Sequence, residues 1–158
     1  MKRILTATAI AAALAAGNAQ AGNTSGTFTV NVTLTSACTL SAVTNVAFAY
    51  TSLQAAVQNA TGGGFSVSCT NTLPYTFGLQ SGNGAATPPG AATISVLDNA
   101  VNLNYSLGLS AAGATGNGAS QAFSVTGTMA GSQAGTCAAA SCTNGAATNK
   151  IHTLIVNY

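Results

Sequence analysis

The chain has 158 residues but only three Lys or Arg, one Asp or Glu and one His, and charged residues make up 3% of it. Charge this sparse excludes nucleic-acid binding, which needs clustered cations against phosphate, and polybasic attraction to a membrane surface. With Asp98 as the only acidic side chain, a paired-carboxylate glycosidase is excluded as well.

Residues 1–21 carry Lys2 and Arg3, an apolar run from Ile4 to Ala16, and the triplet Ala19-Gln20-Ala21. This is the pattern of a secretory signal peptide with an A-x-A cleavage site, so the exported chain is expected to begin near Gly22. Without Lys2 and Arg3, the fixed charges are Lys150 and Asp98, and His152 can titrate. Low net charge promotes association; Thr, Ser, Asn and Gly supply the polarity. No later stretch is long and apolar enough to cross a bilayer, so no membrane insertion is expected. The remaining length suits one domain with its own core.

Thr27 to Thr35 alternates strictly, with Phe28, Val30, Val32 and Leu34 on one face and Thr or Asn on the other. A second strand is expected over Val43 to Tyr50, and Ser52 to Ala60 reads as a loop. Gly62 to Gly64 breaks the chain before an alternating strand, Phe65 to Cys69. That glycine run is no phosphate loop, because it lacks the Lys and no helix pattern follows. Asn71 to Pro74 predicts a turn, Tyr75 to Leu79 a strand, and Ser81 to Gly90 a turn-rich connection.

Ala92 to Leu97 predicts a short strand and Asp98-Asn99 a turn. Val101 to Leu109 has the clearest alternation, with Val101, Leu103, Tyr105, Leu107 and Leu109 on one face. Ala111 to Ser120 reads as a loop, Ala122 to Met129 as a strand, and Gly131 to Asn149 as a small-residue loop. Ile151 to Tyr158 predicts a last strand of β-branched and aromatic residues. Short strands between Gly, Asn and Ser turns predict an all-β sandwich.

Cys38, Cys69, Cys137 and Cys142 all lie beyond the signal peptide, and export with an even count implies disulfides. Three pairings are open. The short loop between Cys137 and Cys142 favours a local bond there, leaving Cys38–Cys69, each beside a predicted strand. A metal site is the rival, but His152 is the only other good ligand. No metal, cofactor or catalytic residue is expected. A triad drawn from Asp98, His152 and one of many serines carries no weight without geometry. His152, inside an alternating strand, reads as structural.

The order of these segments resembles the spore coat protein U domain family, which includes subunits of archaic chaperone–usher pili. The resemblance is carried by Val30 to Cys38, Asn45 to Tyr50 (NVAFAY), Gly64 to Thr70, Pro74 to Leu79, Leu103 to Leu107 and Thr153 to Tyr158, and it spans residues 26–158. Two departures stand out: the charged and tryptophan positions before the last strand are missing, and Cys137–Cys142 is additional. The resemblance implies an immunoglobulin-like sandwich lacking its final strand and completed by donor-strand complementation. The expected organisation is a signal peptide (1–21), an N-terminal extension serving as donor strand (22–36) and the sandwich domain (37–158).

Phe28, Val30, Val32 and Leu34 are then the donor side chains, and Leu154, Val156 and Tyr158 line the groove edge that a chaperone holds. The alternative for the first strand is an ordinary edge strand of its own sandwich. The implied partners are other pilin subunits, a periplasmic chaperone and an outer-membrane usher. The implied location is a surface fibre reached through the periplasm, with a role in adhesion or biofilm formation. A coat matrix protein and a secreted carbohydrate-binding module are the competing functions.

Overall fold

The computed structural model describes residues 22–82 and 84–158; the expected signal peptide, 1–21, lies outside the described residues. The chain divides into two units, Met1–Thr33 and Leu34–Tyr158. In the first, residues 22–33 have no regular secondary structure and are exposed.

The second unit is an antiparallel β-sandwich. Its strands are β1 (Cys38–Leu40), β2 (Val46–Ala47), β3 (Gln58–Asn59), β4 (Thr61–Gly62), β5 (Gly64–Cys69), β6 (Pro74–Ser81), β7 (Ile94–Asp98), β8 (Leu103–Leu109), β9 (Gly113–Thr115), β10 (Ser120–Met129) and β11 (His152–Asn157). One sheet runs β1-β5-β10-β8-β7, with β3 on β10; the other runs β11-β6-β9; β2 and β4 form a small ribbon.

Alternation places the core between the two sheets. Phe65, Val67 and Cys69 of β5, Val96 of β7, Tyr105 and Leu107 of β8, and Val125 and Met129 of β10 are buried on the inner face of the large sheet. Tyr75, Phe77 and Leu79 of β6 meet them from the small sheet. Phe65 and Phe77 pack edge-on with ring centroids 5.3 Å apart, and Phe77 and Phe123 at 4.8 Å. Each such ring removed from water contributes about 1.5–3 kcal/mol, and the edge-on geometry adds to it.

The structure departs from the sequence expectation in several segments. Thr27 to Thr35 forms no strand, although its pattern is the right one. A strand exists only where a neighbour takes up its N–H and C=O groups, and no described residue pairs with this stretch. Of Val43 to Tyr50, Val46–Ala47 forms a strand, paired with Thr61–Gly62 of β4, and Thr44 and Asn45 bond Gly64 and Gly63. The opposite miss is β9, inside the expected loop 111–120. It pairs with β6 through Gly113↔Thr76 and Ala114↔Tyr75. A Cβ on Gly113 would sit 2.2 Å from the Tyr75 carbonyl oxygen, so only glycine fits. Gly-Ala-Thr has no alternation to read. The strands β1, β3 and β4, of two or three residues each, are too short for a period-two pattern to mark them.

Two disulfides are present, and they are the pairs that chain order favoured. Cys38 faces Cys69 directly across β1 and β5, at a sequence separation of 31. Cys137–Cys142 has a separation of 5 and sits in the long loop before β11. Chain entropy scales with loop length, so the first contributes about 3.5 kcal/mol and the second about 2. The double variant Cys38→Ala/Cys69→Ala should therefore lose more stability in urea unfolding than Cys137→Ala/Cys142→Ala. Equal losses would show that the β1–β5 crosslink does not act through the unfolded chain.

Candidate functional site

A groove of about 700 Å³ opens between the segment 43–50 and the start of β11. All eight residues from Val43 to Tyr50 line one side; Lys150, Ile151, His152 and Leu154 line the other. Leu79, Leu103, Tyr105, Leu107, Val125 and Met129 form its floor, so the groove reaches into the sandwich core. Phe48 leans on Tyr105 with ring centroids 5.6 Å apart. It can do so because residue 127 is glycine: a Cβ there would lie 2.7 Å from the Phe48 ring.

The backbone beside the groove is only partly paired. β11 pairs along its whole length with β6, from His152↔Ser81 to Asn157↔Thr76. It stands at the end of its sheet, and no strand among the described residues pairs with its other edge. Such an edge is a row of free donors and acceptors.

Side chains of opposite character share the groove. Tyr105 Oη and His152 Nε2 are hydrogen-bonded at 2.8 Å, while His152 Nδ1 is buried with no partner among the described residues. Burial lowers the His152 pKa, since it disfavours the imidazolium. The Tyr105 pKa is raised, first by burial and then by the charge of Asp98.

Asp98 is 1% exposed. Its Oδ1 accepts from the Ala100 and Val101 amides at 2.9 and 3.1 Å, closing the β7–β8 turn, and its Oδ2 accepts from Asn144 Nδ2 at 2.9 Å. A buried carboxylate is tolerable when its lone pairs are taken up this way. The adjoining Asn99 bonds Thr148, and Asn149 donates to the Leu97 carbonyl, so the turn and the long loop form one network. Asp98 and His152 have separate partners, and no catalytic relay links them.

The residues singled out from sequence are placed as follows. Phe28, Val30, Val32 and Leu34 are 87, 70, 85 and 78% exposed. Leu154 lines the groove. Val156, opposite Phe77, packs on the core away from it, and Tyr158 is exposed. All four cysteines are in disulfides, and among the described residues no three of His, Cys, Asp and Glu cluster to hold a metal. The role of 43–50 as a groove wall was not legible in sequence, and neither was the Tyr105–His152 pair. A lone carboxylate before Asn99 in a turn was the one available signal for the Asp98 network.

The family model described as Spore Coat Protein U domain matches residues 24–151 of this chain. No curated protein matches it, and no solved structure does.

His152 makes stability depend on pH in a predictable direction. Its folded pKa lies below the ordinary value of about 6.5. As pH falls below about 6.5 the unfolded chain takes up the proton first, so stability declines until pH passes the lowered folded value. Above about 6.5 the contribution is flat. Urea unfolding of the wild type should show this decline between neutrality and the carboxylate range, and His152→Gln should lack it. The same slope in both proteins would rule the histidine out as its source.

Proposed function

The chain belongs to the Spore Coat Protein U domain family, and we propose that it is the polymerising subunit of a secreted surface fibre assembled by donor-strand exchange. The family is a structural one, associated with pilus- and coat-type surface subunits whose function is interaction with further subunits. No helix among the described residues is long and apolar enough to cross a membrane.

The observation that carries the proposal is an unpaired β11 edge beside a groove that opens onto the core. A strand laid along that edge would complete the small sheet's ladder and cover Leu103, Leu107 and Val125. Strand addition is a general recognition mode in which main-chain bonds give affinity and alternate side chains fill pockets. The segment 27–35 has the required chemistry. Its apolar side chains recur every second residue, so all face one way, and they stand exposed in a single copy of the chain.

In this reading residues 22–36 are the donor extension and 37–158 the accepting domain, with Leu154 beside the inserted strand. A periplasmic chaperone would hold the groove until an outer-membrane usher passes the subunit to the fibre, after export directed by residues 1–21. Adhesion or biofilm formation would then be a property of the assembled fibre. The family's coat-type members supply the other reading, a matrix protein that does not exchange strands.

Two experiments separate these. A copy of residues 26–36 fused after Tyr158 through a flexible linker should yield a soluble monomer, whereas the chain from residue 22 without it should form heterogeneous oligomers. A stable monomer without the added strand would end the incomplete-sandwich reading.

Val30→Asp/Val32→Asp should abolish fibres, because each valine contributes about 1.5–3 kcal/mol on burial and two unpaired carboxylates in a dry cleft cost far more. The mutant should still accept a wild-type donor peptide. Normal fibres from the mutant would remove these residues from the donor role, and failure to fold with any peptide would make 27–35 an internal strand.

A further inference from the structure

Beyond residue 21 the chain's charge-bearing side chains are Asp98, Lys150 and His152. All three line the groove. Each is held by its own partner: Asp98 by Asn144 at 2.9 Å, Lys150 Nζ by the Gly145 carbonyl, and His152 by Tyr105 at 2.8 Å. This cluster lies at the end of the groove where β11 begins, walled by residues 141–144 of the disulfide-bearing loop. Phe48 and Met129 flank Tyr105 of the pair, and farther along β8 and β10 the lining is apolar at Val46, Leu107 and Val125.

The Asp, Lys and His side chains beyond residue 21 are thus gathered on a single groove. We infer that this polar, loop-walled end is a register stop. It accepts a polar residue of the inserted strand and rejects an apolar one, and so fixes which side chains of 27–35 occupy the apolar stretch. The inference rests on the donor-strand reading and names the residues that set its register.

The physical reason is the penalty for covering polar groups without replacing their partners. An apolar side chain pressed against Lys150, Asn144 and the His152–Tyr105 pair would displace water and return no hydrogen bond. A Thr or Gly of the donor leaves room for water or supplies a hydroxyl. Slippage of a strand by two residues keeps every side chain on its face, so alternation alone does not choose among the even registers. The segment meets the requirement at both ends: Gly26 and Ser36 continue the apolar face of Phe28, Val30, Val32 and Leu34, and both are small.

The test uses the chain from residue 22 and synthetic peptides of residues 24–37, as wild type, with Gly26→Leu, or with Ser36→Leu. Each extended peptide carries a fifth apolar side chain, at opposite ends. One of the two should bind on the order of tenfold more weakly than the parent peptide, and the other at least as tightly as the parent. The weakened peptide identifies which end of the donor meets the cluster. In Lys150→Met/His152→Leu, and in part in Lys150→Met alone, the discrimination should shrink while the parent peptide still binds.

If both extended peptides bind within about twofold of the parent, or if the discrimination persists undiminished in the double variant, the register stop is overturned and strand exchange stands. If the parent peptide does not bind the wild-type groove at all, the strand-exchange reading fails and this inference with it.

Discussion

The backbone of β11 is hydrogen-bonded on one side only, and the rest of the domain is arranged around that asymmetry. β6 pairs all six of its residues. Pairing on that side places Leu154 and Val156 toward the core, opposite Leu79 and Phe77. The opposite edge has no strand among the described residues, and unpaired peptide groups beside an apolar cleft demand either water or another chain. The segment 43–50 does not close the gap. It pairs at Val46–Ala47 with β4, and its backbone borders the groove rather than β11.

The core is correspondingly of two kinds. Around Phe65, Tyr75, Phe77 and Phe123, rings meet edge to face from both sheets and the packing is closed. Around Tyr105, Leu107, Val125 and Met129, the inner face of the large sheet looks into the groove. Phe48 is the main side chain crossing from the far wall, and Gly127 makes the space for it. The first half is closed between the two sheets, and the second half opens onto the groove.

Electrostatics follow the same division. With so few charges, repulsion does little to keep copies of the chain apart. The charges that remain are embedded in hydrogen bonds. Asp98 holds the β7–β8 turn and, through Asn144, the loop before β11. His152 is kept neutral by burial. These contacts link the large sheet to the first residues of β11 at the end of the groove.

Much of the fold was legible in the chain itself. The all-β class, the strands at 65–69, 75–79, 103–109 and 122–129, and their inward faces followed from period-two alternation, which is a local property; the expected start at Val101 falls in the β7–β8 turn. The exposed apolar face of Phe28 to Leu34 was visible in the same way. What sequence did not supply was pairing. Thr27 to Thr35 carries a strand pattern but has no partner among the described residues, Val43 to Tyr50 is paired only as far as Ala47, and Gly113–Thr115 carries no pattern and is a strand because β6 lies beside it. The candidate site was hidden for a related reason. Asp98, Asn144, Lys150 and His152 are polar residues in a turn, a loop and a strand start, with nothing in their spacing to connect them. Alternation fixes which way a side chain faces, because that depends on its immediate neighbours. Whether a backbone edge is paired or open, and which distant polar groups meet at its end, depends on segments far away in the chain, and only the tertiary structure brings those together.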